Sequence, residues 1–354
     1  MEMHYSMSRF VPPRTWLLSA AWLTPILVSV CLTAGLVSRS LGEGRLSTIP
    51  RVDNVTYLAR GAELAWATKQ AGLPGAYRWY MRVAPHSPYS TCLAAIAFLV
   101  GGFQEWLPQA AQGIVILVAM LWVWRACASL GRLKFWGHVS RLFILGLVAA
   151  LPLWATCIEV FKPDYLASLL VAIGSVMLIS SPRAGVGRAA AAGLLFGFAL
   201  WAKPVAFLGV LFHASAASGI AMLAMLALDT QGRSMCFALR RATRRALVHW
   251  LRNGLIVLGC MLVVAGPHFA IAYDKVWDYF YVNAFGPKLA LWRYKGTFGE
   301  HAAHYVTGRN AIILLGDVRW WLYSALAIGA VLCFVSRSRR LRVAALAWSL
   351  LLLA

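Results

Sequence analysis

Between one short basic cluster and the next, this chain runs through apolar stretches that carry almost no charge. Hydrocarbon about 30 Å thick is crossed by roughly 20 helical residues. A backbone in lipid must satisfy its own hydrogen bonds, which leaves helices or a closed barrel. A barrel needs ten-residue segments of alternating polarity, and none is visible here. With 61% hydrophobic and 13% charged residues over 354 positions, the chain also lacks the charge to cover a soluble domain of its size. The sequence therefore predicts an all-α polytopic membrane protein, a single transmembrane domain over 1–354. Spans are expected at about 15–38, 107–124, 142–158, 164–181, 189–202, 204–228, 254–273 and 318–335. A ninth apolar run opens near 343 and stops at Ala354. Membrane helices do not normally end in mid-bilayer, so a truncated C-terminus is expected. The first span follows Arg9 and Arg14 and reads as an uncleaved signal anchor.

The formal net charge of +21 does not point to nucleic acid, because the basic residues sit in short clusters between spans. Arg125, Arg132, Lys134 and Arg141 form one, and Arg183 with Arg188 another. Arg233, Arg240, Arg241, Arg244, Arg245 and Arg252 form a third, and Arg337, Arg339, Arg340 and Arg342 a fourth. The alternation of spans puts all four on one face, which the positive-inside rule makes cytoplasmic, with attraction to membrane lipids of negative charge. Glu159, Asp164, Asp274, Asp278, Glu300 and Asp317 fall on the other face. Lys203-Pro204 falls there too, at a break between spans, where proline ends the preceding helix. The seven cysteines lie mostly inside apolar segments and show no metal-site or disulfide spacing. His301 and His304 lack the neighbouring carboxylates or cysteines of a metal site. Arginine outnumbers lysine, as in a GC-rich bacterial genome; the membrane expected is then the bacterial inner one, with a periplasmic opposite face.

Residues 89–103 leave the topology open. This apolar stretch is short for a span and suits a juxtamembrane or re-entrant helix. Lying at the surface, it makes the 39–106 loop exoplasmic. Crossing, it puts residues 39–88, with their seven Lys and Arg, in the cytoplasm. Charge counting slightly favours the crossing; length and the Arg9/Arg14 flank favour the surface.

Within 39–106, RVDNVTYLARGAELAW reads as an amphipathic helix opening at Asp53, and AYRWYMRV as a second short helix leading into APHSPY at 84–89. An acidic residue opening a first-loop helix, a His/Pro-rich turn some thirty residues on, and a short apolar helix ending in Gly101-Gly102 resemble the first exoplasmic loop of GT-C superfamily integral-membrane glycosyltransferases. The branch resembled is that of the protein O-mannosyltransferases and aminoarabinose transferases. FKPDYLASLLVAIGSVML at 161–178 resembles the second exoplasmic loop of these enzymes, where an aspartate opens a span. AAAGLLFGFALWAKPVAFLGVL at 190–211 resembles their Gly-x-x-x-Gly helix ending in a Lys-Pro turn. The resemblance covers about 15–215. It departs from the family at Asn54, where a second carboxylate is common, and at His86-Ser87-Pro88-Tyr89, where Pro-Pro-Leu-Tyr is common.

The resemblance implies a GT-C-like helix bundle, a catalytic core over 15–215, exoplasmic loops at 39–106 and 274–317, and a 89–103 helix on the exoplasmic surface. It implies transfer of a sugar from a polyprenyl-phosphate donor to a glycan, lipid or protein acceptor. Such transfer needs a base beside the acceptor and a cation or donors for the leaving phosphate. Asp53 is the candidate base and Lys203 the candidate phosphate contact, a lysine that otherwise snorkels to the interface. Tyr57, His86 and Arg60 are candidate substrate contacts. Asp164, with Glu159 as its substitute, is the candidate ligand for a divalent cation, Mg or Mn; otherwise Asp164 is a helix cap. The loop at 274–317 is positioned to cover the donor. A transporter or lipid flippase would place ionisable residues at mid-membrane on repeated, broken helices, and no internal repeat is visible. A noncatalytic subunit of the same fold is the other alternative.

Overall fold

The apolar runs fold as helices in the computed structural model of the chain, which describes residues 14–47, 52–128, 134–180, 185–229, 235–287, 296–297, 299–300, 303 and 307–335. Among these no strand occurs. In chain order the helices are α1 (Arg14–Gly42), α2 (Val52–Val83), α3 (Pro88–Gly101), α4 (Leu107–Ala111), α5 (Gly113–Ala126), α6 (Lys134–Ala149) and α7 (Leu153–Glu159). They continue with α8 (Asp164–Ile179), α9 (Val186–Ala202), α10 (Phe207–Asp229), α11 (Met235–Ala284), α12 (Arg309–Leu315) and α13 (Val318–Val335). The apolar run from 343 lies outside the described residues, as do His301 and His304.

Among the described residues four helical stretches are long and apolar enough to cross a membrane: Trp22–Gly42, Leu107–Ala126, Pro204–Met225 and Ala246–Asn283. The pair α6–α7, bent by 48° at the break before Leu153, which carries Pro152, passes the same test only when both helices are counted as one span. The chain is an all-α polytopic membrane protein. The spans expected at 164–181 and 189–202 form as α8 and α9, both shorter than the roughly 20 residues that cross the hydrocarbon. With 16 and 17 residues, α8 and α9 reach only about 24–26 Å at 1.5 Å per residue. They sit in the middle of the bundle, where Phe196, Ala189, Ala192 and Ala199 are fully buried. Surrounded by protein, they are not held to a full match to the hydrocarbon.

Helices in lipid gain little from hydrophobicity and associate through close packing, which small residues allow. Gly193 and Gly197 do this for α9 against α11. A methyl carbon on Gly193 would lie 2.6 Å from the Val257 carbonyl oxygen, and one on Gly197 2.9 Å from the Val264 side chain. Helix α11 has 50 residues, and only the stretch between Arg252 and Asp274 is free of charge. It continues as helix to Ala284, so the loop expected from 274 begins as three further helical turns.

The segment before α4 forms its own small core. Helix α2 is broken at Ala71 and Gly72, the latter at φ 61 and ψ −155, a conformation suited to glycine. Its two arms match the two helices expected there. Gly61 admits α3 so closely that a methyl carbon on it would stand 2.4 Å from Ala94. Leu64, Ala65, Trp79, Ala94, Phe98 and Phe161 close this core.

The ends of α3 decide its course. At its start the Ser87 hydroxyl donates to the Ala202 carbonyl at 3.0 Å, at the C-terminus of α9. Shortly after its end, the buried Gln112 amide donates to the Cys157 carbonyl at 2.6 Å and the Val160 carbonyl at 3.2 Å. Those carbonyls flank the α7–α8 loop, which leads to Asp164 at the same end of the bundle as Lys203. Both ends of α3 are therefore at one end, and its 14 residues do not cross. The end of α5, the starts of α6 and α9 and the first turns of α11, which carry described residues of three basic clusters, belong to the other end.

Candidate functional site

Helix α8 starts at Asp164 directly after Pro163, and α9 stops at Lys203 because Pro204 follows. These two stops bring opposite charges from different helices together, and the Lys203 ammonium donates to the Asp164 carboxylate. The side chains are 29% and 44% exposed. A pair this wet contributes about 0–1 kcal/mol, which leaves both partners available for exchange with a ligand. Behind the pair a cavity of about 360 Å³ runs between α8 and α10. Its walls are mainly apolar, with Ser168, Ser175 and His213 as the polar exceptions. From Asp164 to Ser175 is eleven residues, about 16 Å along the helix, half the hydrocarbon thickness. Ser175 is 2% exposed and its hydroxyl has no hydrogen-bond partner among the described residues; the His213 Nδ1 lies 2.7 Å from the Gly209 carbonyl.

The first loop is tied to the same place. Helix α2 ends at Ala84, whose φ of 42 lies in the left-handed region that alanine adopts at some cost. Ala84 is buried against Ala272 and Val276 of α11, and the Lys275 ammonium caps the end of α2 through the Val83 carbonyl at 2.5 Å. This turn presents His86. Its ring stacks on the buried Tyr57, with centroids 5.5 Å apart and planes at 12°, and faces Tyr279 at 5.0 Å. The next residue, Ser87, holds the Ala202 carbonyl beside Lys203.

The site residues expected from sequence thus fall into three groups. Asp164 and Lys203 form one pair, and Tyr57 and His86 form a stack beside their turn. Arg60 and Glu159 have other partners. Arg60 forms an exposed ion pair with Glu63 at 2.8 Å. Glu159 accepts from Arg45 at 2.9 Å and Ser40 at 3.2 Å, a tie between the end of α1 and the end of α7. Asp53 lies in the first turn of α2, one turn before Tyr57, and its side chain is outside the described residues. Among the described residues no three His, Cys, Asp or Glu side chains group as a metal site. Asp164 alone suits a cation arriving with phosphate oxygens, since magnesium is commonly held by one or two carboxylates plus substrate. Glu159 is already held by a cation.

Sequence reading missed the contacts from α11. Tyr80 of α2 lies 2.8 Å from the His268 Nδ1. Burial, opposed by a hydrogen bond with Trp201, pushes the Tyr80 hydroxyl up to about 12, so it stays protonated. A histidine after Pro267 inside a charge-free span was the available signal, since polar groups at that depth need partners. The Asp164, Ser168, Ser175 stripe was also legible, at spacings of four and seven. No family model, curated protein or solved structure matches the chain. Fold and site together define a polytopic helical membrane protein with an ionised rim opening on a lipid-depth cavity.

Proposed function

We propose that the chain is a membrane glycosyltransferase that moves a sugar from a polyprenyl-phosphate donor to a glycan, lipid or protein acceptor. The observation that carries this is the Lys203–Asp164 pair at the mouth of an apolar cavity about half a bilayer deep. An anionic head beside a cation and a hydrocarbon tail between α8 and α10 are the two halves of a lipid phosphate. The GT-C resemblance of the three segments, and their convergence at one end of the bundle, support the same reading. That end lies away from the basic loops, which the positive-inside rule makes exoplasmic.

In this mechanism Asp53 takes the proton from the acceptor hydroxyl or amine as its oxygen or nitrogen attacks the anomeric carbon. The bond from that carbon to the phosphate oxygen breaks, and the phosphate leaves with the electron pair. Lys203 exchanges Asp164 for the phosphate and stabilises its growing charge. Tyr57 and His86 offer stacked rings beside the sugar. A divalent cation, when present with the phosphate, would be held by Asp164 and would neutralise further charge. The test is sugar transfer in proteoliposomes supplied with polyprenyl-phosphate sugars, comparing wild type with Asp53→Asn. Donor consumption that depends on Asp53 is expected. Full activity in Asp53→Asn sinks the base assignment, and a wild type inert toward every such donor sinks the glycosyltransferase.

A further inference from the structure

Helix α10 has a second hollow on its other side. A groove of about 280 Å³ runs between α10 and α11, lined by Ser215 and Ser218 of α10 and by Trp250, Leu251, Gly254 and Met261 of α11, among others. From Trp250 to Met261 is eleven residues, about 16 Å, again the depth of one leaflet. On α11 it starts at Trp250, beside the arginine-rich stretch of that helix, and on α10 its wall runs from Leu211 to Ser218. Small residues keep it open: a methyl carbon on Gly254 would meet nothing within 4 Å.

Charge selects the occupant. Arg244 lies two turns before Leu251 on the same helical face, and Arg252 follows Leu251 directly; both are exposed. Arg252 lies 3.1 Å from the His249 Nδ1 and 3.2 Å from the Asn253 Oδ1. Among the described residues no carboxylate pairs with either arginine. Between residues 230 and 252 the sequence has six arginines and no acid. Trp250, half-exposed at the same level, is the residue type that settles at the headgroup boundary.

We infer that this groove is a binding site for an anionic phospholipid of the leaflet facing the basic loops. One acyl chain lies between α10 and α11, and the phosphate sits against Arg244 and Arg252. Basic pockets between transmembrane helices hold such headgroups, each arginine contributing about 1 kcal/mol near the surface. The site is independent of the proposed chemistry at Lys203.

The test is native mass spectrometry of the full chain in detergent, titrated separately with phosphatidylglycerol and phosphatidylcholine. Phosphatidylglycerol should bind first and more tightly. Arg244→Ala should weaken it about fivefold while leaving phosphatidylcholine unchanged. Gly254→Leu, which fills the groove, should weaken both lipids, and Ser215→Leu should do the same from the opposite wall. Arg125→Ala, in a different basic cluster, should change nothing. Equal binding of the two lipids, an Arg244→Ala effect no larger than that of Arg125→Ala, or lipid uptake unaffected by both groove-filling variants would overturn the inference. A dimer of the chain that both groove-filling variants abolish would overturn it as well, since a second copy would then be the occupant.

Discussion

Two hollows flank α10, one beside Lys203 and one beside the arginines of α11, and they differ mainly in what stands at the mouth. Toward α8 the mouth holds a cation with its own carboxylate, Lys203 with Asp164, and the wall carries Ser168, Ser175 and His213. Toward α11 the nearby arginines, Arg244 and Arg252, have no carboxylate partner among the described residues, and the polar wall residues include Ser215 and Ser218. Both are about one leaflet deep. An internal carboxylate competes with an incoming anion, lowering affinity and easing release. Unpaired arginines do neither. The first arrangement suits a site that turns over an anionic substrate, and the second a site that keeps one.

Substitutions at the two mouths should therefore separate turnover from lipid retention. The largest expected effect is at Asp53: Asp53→Asn should lower sugar transfer by about 10²–10⁴-fold, the range for loss of a general base, read as initial rate in proteoliposomes. Next, Asp164→Asn frees Lys203 from its competitor. Donor should bind more tightly while turnover falls, so KM and kcat drop together, seen in a kinetic titration of donor. If both parameters stay at wild-type values, the carboxylate has no part in exchange. A structural control follows. Gly197→Leu drives a side chain into Met261 and Val264 and should cost about 1–3 kcal/mol as overpacking, measured as a lower Tm in detergent. Smallest is Glu159→Gln. Its partner Arg45 is half-exposed, so stability should move by no more than about 1 kcal/mol, with donor KM unchanged.

Much of this was legible before folding. Charge-free runs of about twenty residues announced α1, α4–α5, α10 and α11, because hydrocarbon thickness sets their length. Pro204 marked the break after Lys203, since proline removes a donor. The course of α3 was not legible. Its fourteen residues are consistent with more than one placement, and only Ser87 and Gln112, hydrogen-bonded to distant carbonyls, fix both ends on one side. The place of α8 and α9 in the middle of the bundle also escaped composition, which gives a helix's apolar length but not its neighbours. Of the site, Asp164 and Lys203 were readable singly from the prolines beside them, but their pairing joins residues 39 positions apart. Tyr279, which completes the stack on His86, read only as part of an aromatic belt. Glu159 read as an alternate cation ligand, and its neighbour Arg45 came from a segment with no pattern pointing to it.

The central claim is that Lys203 serves an anionic lipid-linked substrate, and one comparison tests it directly. Sugar transfer from a polyprenyl-phosphate donor should be measured in proteoliposomes for wild type, Lys203→Ala and Arg125→Ala. Lys203→Ala should lose about 10²–10³-fold, the range for removing one preorganised charge-stabilising donor, while Arg125→Ala keeps the wild-type rate. A Lys203→Ala protein that transfers sugar as fast as wild type would contradict the claim.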